Sequence, residues 1–426
     1  MRGSRDLSGR VASTDASTFV PGRLADRLPE GASVAVADAL DLGRDRWLLV
    51  LRIAGELLAS AVVGEGDGFR RAGVGDGVAE TLVSLVAADR DAASFSFRRL
   101  GEVGGWTGER AIDVDQSNES VVVGDRAVVK RSVWMAADNR RPIVLPSHLR
   151  AAGFTEMPAP LGYAVWRHDG GLAPVASVAG YLAEARDGWE WYGDLAARSV
   201  DDATVDAVEP AAALGALTAR LHLALATPTE VLTAPSAVAN EEDVAGWRGK
   251  AERDLDTALV SIDGDEGRRL HEQEGAIRAA LSRLPIRATT TIPIHGDLHV
   301  GQFLRWREGL AVSDLDGDPL GRGGFTGPAA KDVASLIQSL DHVGRIVEQR
   351  RDLSMADWIE DAVRACVRAY RAELQDAGAA PLFDEELLAP FRIAQELHEF
   401  VYAATYLPGW RSVPDRSLAA LLATDA

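Results

Sequence analysis

Residues 295–302 read His295-Gly296-Asp297-Leu298-His299-Val300-Gly301-Gln302, and the turn Asp314-Leu315-Asp316-Gly317 follows. An aspartate ahead of a carboxamide, then an acidic turn, is the order in which a phosphoryl-transfer site places a catalytic carboxylate and two metal ligands. Such chemistry asks little covalent help of a protein. It needs an acceptor oxygen held in line, cations on the phosphates, and a group to take the acceptor's proton. Asp297 is the candidate for that last role, as general base or orienting acceptor. Gln302 offers a neutral oxygen to Mg2+, Asp314 an anionic ligand, and Asp316 stands near enough to join the shell. Magnesium favours a few hard oxygen ligands completed by phosphates and water. Taken singly, each motif also reads as a turn or hairpin end; their order and placement together favour chemistry. His295 and His299 read as loop-ordering residues. Neither has a Ser or Cys partner that would make a hydrolytic triad, and the eight histidines show no zinc spacing.

In the front half, Lys130 lies near the end of the second strand of a hairpin, where an ammonium can reach α- and β-phosphates. The segment before that hairpin carries Ser117, Asn118 and Ser120, small polar residues whose N–H and hydroxyl groups suit phosphate oxygens. Arg131 is a plausible substitute for Lys130. Gly64, Gly66, Gly68, Gly73, Gly75 and Gly77 match no nucleotide fingerprint and read as turns.

The elements that must position these groups divide the chain. Residues 1–30 are polar and irregular, and candidate strands follow at 33–36, 47–53 and 57–63, with a helix at 78–88. A further strand is expected at 95–100. The clearest hairpin joins Glu119–Val123 to Ala127–Arg131 through Gly124-Asp125. A helix or broken helix at 142–153 and strands at 163–167 and 177–181 come next. After Trp189 the text turns helical: Leu214, Leu217, Leu221 and Leu225 recur at helical spacing, and further helices are expected at 244–258, 266–284, 332–349, 355–377 and 385–406. One small β-stretch, at 292–294, 303–306 and 310–315, carries the acidic motifs.

Composition narrows the partners. With 426 residues the chain exceeds one core, and a net charge of −19 without a basic tract argues against nucleic acid. Cys366 is the single cysteine, so no disulfide framework forms within the chain. The first residues lack an apolar signal region, and Arg52 and Glu56 interrupt the most apolar early stretch. These features predict a soluble, cytoplasmic protein without membrane segments; they leave oligomeric state open.

Together these residues resemble the aminoglycoside phosphotransferase-like kinase superfamily, and more closely its maltokinase and actinobacterial glucosamine kinase branch. The matching stretches are Asp115-Gln116-Ser117-Asn118, Gly124-Asp125-Arg126 through Lys130, Asp187-Gly188-Trp189-Glu190, Leu214-Gly215, Leu221-His222, 295–302, 314–319, Asp332-Val333-Ala334 and 399–410. Glutamine at 302, where most of the superfamily carries asparagine, is especially maltokinase-like. The resemblance implies an α+β, two-lobed, protein-kinase-like fold: an N-terminal cap subdomain at 1–92, a β-rich N-lobe at 93–182 and a helical C-lobe at 183–426. It also implies ATP as co-substrate, with adenine at a hinge near 177–183. Two departures stand out. Residues 139–154 offer no acidic partner for the strand lysine, leaving Glu119 or Asp138, and the metal turn reads Asp-Leu-Asp-Gly-Asp where maltokinases carry Asp-Phe-Glu-Gly-Glu.

The resemblance places the acceptor between Asp297 and the C-terminal helices. Candidate walls are Gln338, Asp341, His342, Glu396, Glu399 and Trp410, planar polar groups with an aromatic face of the kind that holds a sugar. Carboxylates such as Asp341 and Glu399 favour a protonated amine. Maltokinase-like sequences carry arginine near the position of Gln338, and its absence removes a charge that would oppose an ammonium group. The expectation is therefore an ATP-dependent glucosamine kinase acting on the 6-hydroxyl. Maltose phosphorylation is the alternative, followed by aminoglycoside modification or a catalytically decayed, kinase-fold binding protein.

Overall fold

A meander of four antiparallel strands opens the folded chain: β1 (Val34–Gly43), β2 (Arg46–Ile53), β3 (Glu56–Glu65) and β4 (Gly68–Arg71). Successive side chains of a strand face opposite ways, and β2 uses both faces. Leu49, Leu51 and Ile53 are buried with Leu7 and Val11 of helix α1 (Arg2–Ala12) and with Phe19 of a 3₁₀ turn. A short helix, α2 (Gly22–Ala25), follows that turn. Leu48 and Val50 face the other way, into a core shared with Val78, Leu82 and Val86 of α3 (Val78–Ala87). Helix α1 is absent from the sequence expectation because Leu7 and Val11, one turn apart, are its buried apolar residues in an otherwise polar segment.

The second sheet has seven strands in the order β5-β6-β10-β11-β9-β8-β7. They are β5 (Asp91–Ala92), β6 (Phe95–Arg99), β7 (Glu109–Ala111), β8 (Glu119–Val123), β9 (Ala127–Arg131), β10 (Pro160–His168) and β11 (Gly171–Gly180). Helix α4 (Arg141–Ala151) lies between β9 and β10 in sequence. Phe95 and Phe97 of β6 belong to the same buried cluster as Leu48 of β2. Segments 1–92 and 93–182 thus share one core. Strand β11 starts well before the expected 177. Pro174, which reads as a breaker, sits opposite Val165, beside a register shift where the ladder tolerates a missing N–H.

The computed structural model describes all residues except 1, 26–27, 30, 113–118, 136–138, 170, 285–288, 319–324 and 425–426. By contacts the chain forms two units, Met1–Arg150 with Pro158–Ala183, and Ala151–Met157 with Glu184–Ala426.

The second unit is mainly helical: α5 (Gly188–Asp201), α6 (Glu209–Ala226), α7 (Glu241–Ser261), α8 (Gly264–Ser282), α9 (Ala329–Arg351), α10 (Ala356–Asp376), α11 (Leu388–Tyr406) and α12 (Ser412–Thr424). Leu214, Leu217, Leu221 and Leu225 are buried, as their spacing demands. Gly215 lets α6 approach α10 closely, since a Cβ there would lie 2.1 Å from the Cys366 carbonyl oxygen. Three short strands, β12 (Ala237–Val238), β13 (Thr290–Pro293) and β16 (Thr326–Gly327), form a small sheet, and β14 (Phe303–Trp306) pairs with β15 (Gly309–Val312). The loop between β13 and β14 carries Asp297; the turn after β15 carries Asp314.

Candidate active site

Backbone hydrogen bonds hold the Asp297 loop in place. Asp332, in the first turn of α9, accepts the N–H of His295 at 2.6 Å on one carboxylate oxygen and that of Gly296 at 2.8 Å on the other. His222 Nε2 lies 3.1 Å from the same carboxylate, and its Nδ1 lies 2.8 Å from the Tyr370 hydroxyl. Burial works against the charge of Asp332, yet the His222 hydrogen bond, the nearby histidines and the Gly296 N–H hold its carboxyl below the usual range. Further along, the Val300 N–H donates to Ser339 Oγ at 2.8 Å, and His295 Nε2 lies 2.9 Å from the Ser313 carbonyl oxygen. Gly296, at φ +78°, takes a left-handed conformation that a side chain would resist. His295 therefore orders the loop.

Asp297 itself is half-buried. Burial raises its pKa; His299 and His295 oppose the shift, and the Asp318 and Asp314 carboxylates add to it. Asp314 and Asp318 therefore act on Asp297 as neighbouring like charges. Asp314 sits at φ +58°, a left-handed position that aspartate tolerates better than most residues. The Ser313 N–H and hydroxyl donate to the Gln302 carbonyl at 2.8 and 3.1 Å, which ties the acidic turn to the end of the Asp297 loop.

This donor set suits a divalent cation. Clustered carboxylates that repel one another are relieved by positive charge, and the donors are hard oxygens. Among the described residues no three His, Cys, Asp or Glu side chains form a ready-made cage; magnesium is commonly held by one or two carboxylates plus phosphates. Gln302 adds a constraint. Its Nε2 lies 3.2 Å from His299 Nε2, while His299 Nδ1 accepts the Gly301 N–H at 3.1 Å. A neutral imidazole accepts at one nitrogen only. With Nδ1 accepting from Gly301, a neutral His299 carries its proton on Nε2 and donates to Gln302 when the amide turns Oε1 toward the ring, which leaves that oxygen a second lone pair for a cation.

Aromatic contacts lead from this loop to the last helices. Trp189 leans over His299 with ring centroids 5.7 Å apart, and Trp410 meets Trp189 edge-on at 6.0 Å and His342 at 5.6 Å. Trp410 Nε1 donates to Glu399 at 2.9 Å, and Gln395 Nε2 donates to the other oxygen of Glu399 at 3.0 Å. His342 is paired with Glu396 at 2.9 Å, both buried. Burial works against a charged His342, but the Glu396, Glu399 and Asp341 carboxylates raise its pKa to about 9.

Two expected wall residues are otherwise engaged. Gln338 is fully buried, and its Oε1 accepts from Arg392 Nε at 2.8 Å. Asp341 is buried against Ser417 and Arg345, the latter at 3.3 Å. These guanidinium groups correct the charge argument drawn from the missing arginine at 338: positive charge returns to this neighbourhood from Arg345 on the same helix and from Arg392, which is remote in sequence.

In the first unit, Lys130 on β9 is the cross-strand partner of Ser120 on β8 and of Ser177 on β11. Arg131 faces the opposite, buried side and pairs with Glu119 at 2.7 Å. Glu119 also contacts Arg71. Arg131 is therefore no substitute for Lys130, and Glu119 is committed to arginines. Ser117, Asn118 and Asp138 lie outside the described residues.

Functional residues that the sequence reading left without a role include Asp332, Trp189, Ser339 and Arg392. Asp332 and Trp189 sit in recognisable motifs, but their partners are remote in the chain and no local spacing points to them.

No family model matches the chain. It is 41% identical over 411 residues to a glucosamine kinase from Streptacidiphilus jiangxiensis, covering 93% of this chain and 90% of the relative. A glucosamine kinase from Mycolicibacterium smegmatis is 36% identical over 409 residues, covering 90% and 98% respectively. Among solved structures, a glucosamine kinase (crystal form B) superposes with a TM-score of 0.83 at 37% identity, covering 98% of this chain and 99% of that one. A glucosamine kinase in complex with glucosamine, ADP and inorganic phosphate gives a TM-score of 0.79 at 38% identity, covering 97% and 99%. Relatives at 36–41% identity spanning at least 90% of its length leave one assignment: the chain belongs to the glucosamine kinase family.

Proposed function

We propose that this chain transfers the terminal phosphoryl group of ATP to the 6-hydroxyl of D-glucosamine. The observation that carries the reading is the contiguity of the Asp297 loop with the Trp189–Trp410–Glu399 group, in a chain that matches glucosamine kinases over at least 90% of its length. Maltose and aminoglycoside phosphorylation gain no support from these relatives.

In this reading Asp297 accepts the proton of the acceptor hydroxyl. Its raised pKa makes it a better base than an ordinary carboxylate. Trp410 offers the sugar an apolar face. Glu399, oriented by Trp410 and Gln395, offers the ammonium group a negative charge. Gln302, Asp314 and Asp316 would hold Mg2+, which when bound neutralises charge on the phosphoryl oxygens. Lys130 and Ser120 are the groups proposed for the nucleotide phosphates, together with Ser117 and Asn118.

ADP release measured with a panel of sugars, with and without Mg2+, tests the proposal. Glucosamine should exceed glucose and maltose by at least about tenfold in kcat/KM, the worth of one charge-assisted hydrogen bond. Equal turnover of glucosamine and glucose would remove the amine from the argument.

A further inference from the structure

One histidine beside the site has no part in the chemistry just described. His398 lies on α11 between Glu396 and Glu399, with 13% of its side chain exposed. Its Nε2 lies 3.4 Å from Asp318 Oδ1, at the far end of the acidic turn. Its Nδ1 lies 3.8 Å from Asp254 Oδ2 and 3.3 Å from Lys250 Nζ, both on α7. Lys250 in turn pairs with Asp254 at 2.7 Å. One imidazole thus bridges two carboxylates, one on a helix and one on the turn. Although burial works against its charge, the Asp254 and Asp318 carboxylates raise its pKa to about 9, with Lys250 opposing.

The turn needs anchoring. Asp314 and Gly317 both take left-handed conformations, at φ +58° and +82°. On one side the turn is tied by Ser313 to the Gln302 carbonyl. On the other side Asp318 meets His398. We propose that His398 is a positioning residue: by tying Asp318 to α7 and α11, it fixes the turn that carries Asp314 beside Asp297. The same helix carries Glu396 and Glu399, so the cation-bearing turn and the acceptor wall share one scaffold. This inference rests on reading the turn as the cation site.

The test is calorimetric binding of Mg·ADP and of glucosamine to the full chain, alongside kcat and KM. His398→Leu should weaken Mg·ADP about tenfold or more, the usual cost of losing a partner that orients a metal ligand. It should leave glucosamine affinity within about twofold, since it removes no group that touches the sugar in this reading. His398→Gln, which keeps an N–H to offer Asp318, should recover part of the loss. In an Asp318→Asn background His398→Leu should add nothing, as expected if the ring acts through Asp318. Additive losses in that background, or unchanged Mg·ADP affinity in His398→Leu, would overturn the proposal. Asp314→Asn separates the premise: if it leaves Mg·ADP affinity intact, the cation reading fails and the proposal with it. If Asp314→Asn abolishes that affinity and His398→Leu does not change it, the proposal alone fails. Should His398→Leu not fold, the Gln variant against Asp318→Asn makes the same comparison.

Discussion

Asp332 accepts the backbone N–H of His295 at 2.6 Å, so one carboxylate on α9 sets where the Asp297 loop begins. An amide cannot replace it, because one end of the amide would present N–H to N–H. Asp332→Asn should therefore cost about 3–5 kcal/mol, the typical penalty for breaking a buried charged partnership, together with a large loss of kcat. Its folded pKa is depressed below 3.8, so its contribution is present above that value and is lost as pH falls through the folded value. Acid unfolding of Asp332→Asn should lack this component. Urea titrations compared across acidic pH check both points.

Asp297→Asn removes the proton acceptor but preserves size. A loss of about 10²–10⁴-fold in kcat is expected, the usual contribution of a general base. Glucosamine and Mg·ADP should still bind, as calorimetry would show. Undiminished turnover in this variant would transfer the base role elsewhere.

Much of this site is legible in sequence because its chemistry is local. Asp297, Gln302 and Asp314 occupy one short stretch, and valine runs around Gly124-Asp125 define the β8–β9 hairpin residue for residue. Structural roles set by distant partners are not legible. Asp332 meets His295 across 37 residues, and Arg392 meets Gln338 across 54. The second pairing reverses a charge inference drawn from residue 338 alone. Local reading also fails where context overrides propensity: Pro174 survives inside β11 beside a register shift. Helix α12 escapes notice because Pro414 stands near its start, where proline is tolerated.

Trp410→Phe keeps an aromatic face and deletes the N–H that orients Glu399. A hydrogen bond to a charged acceptor is worth about 1.5–3 kcal/mol, so the KM for glucosamine should rise about 10–100-fold while kcat stays within about threefold. Because Glu399 is assigned to the amine, glucose should suffer less than glucosamine. Steady-state kinetics with both sugars distinguish this from a general loss of packing, which would weaken both alike.

His342 and Glu396 form a buried pair whose protons should be visible in stability. For Glu396, burial together with Asp341 and Glu399 outweighs His342 and raises the carboxyl from 4.5 to about 7. His342 is raised from 6.5 to about 9, its neighbouring carboxylates overcoming burial. Folded protein therefore holds protons that the unfolded chain releases, across both windows. The His342 contribution is complete below pH 6.5 and is lost as pH rises through about 9; the Glu396 carboxyl adds a destabilising charge as pH rises from 4.5 through about 7. Both effects carry the same sign, so this pair makes stability decline with rising pH. Replacing both residues with glutamine, whose side chains can still hydrogen-bond to each other, should flatten that slope. Thermal unfolding followed from mildly acidic to mildly alkaline pH, in wild type and in the double variant, measures it; parallel curves would mean the pair holds no extra proton.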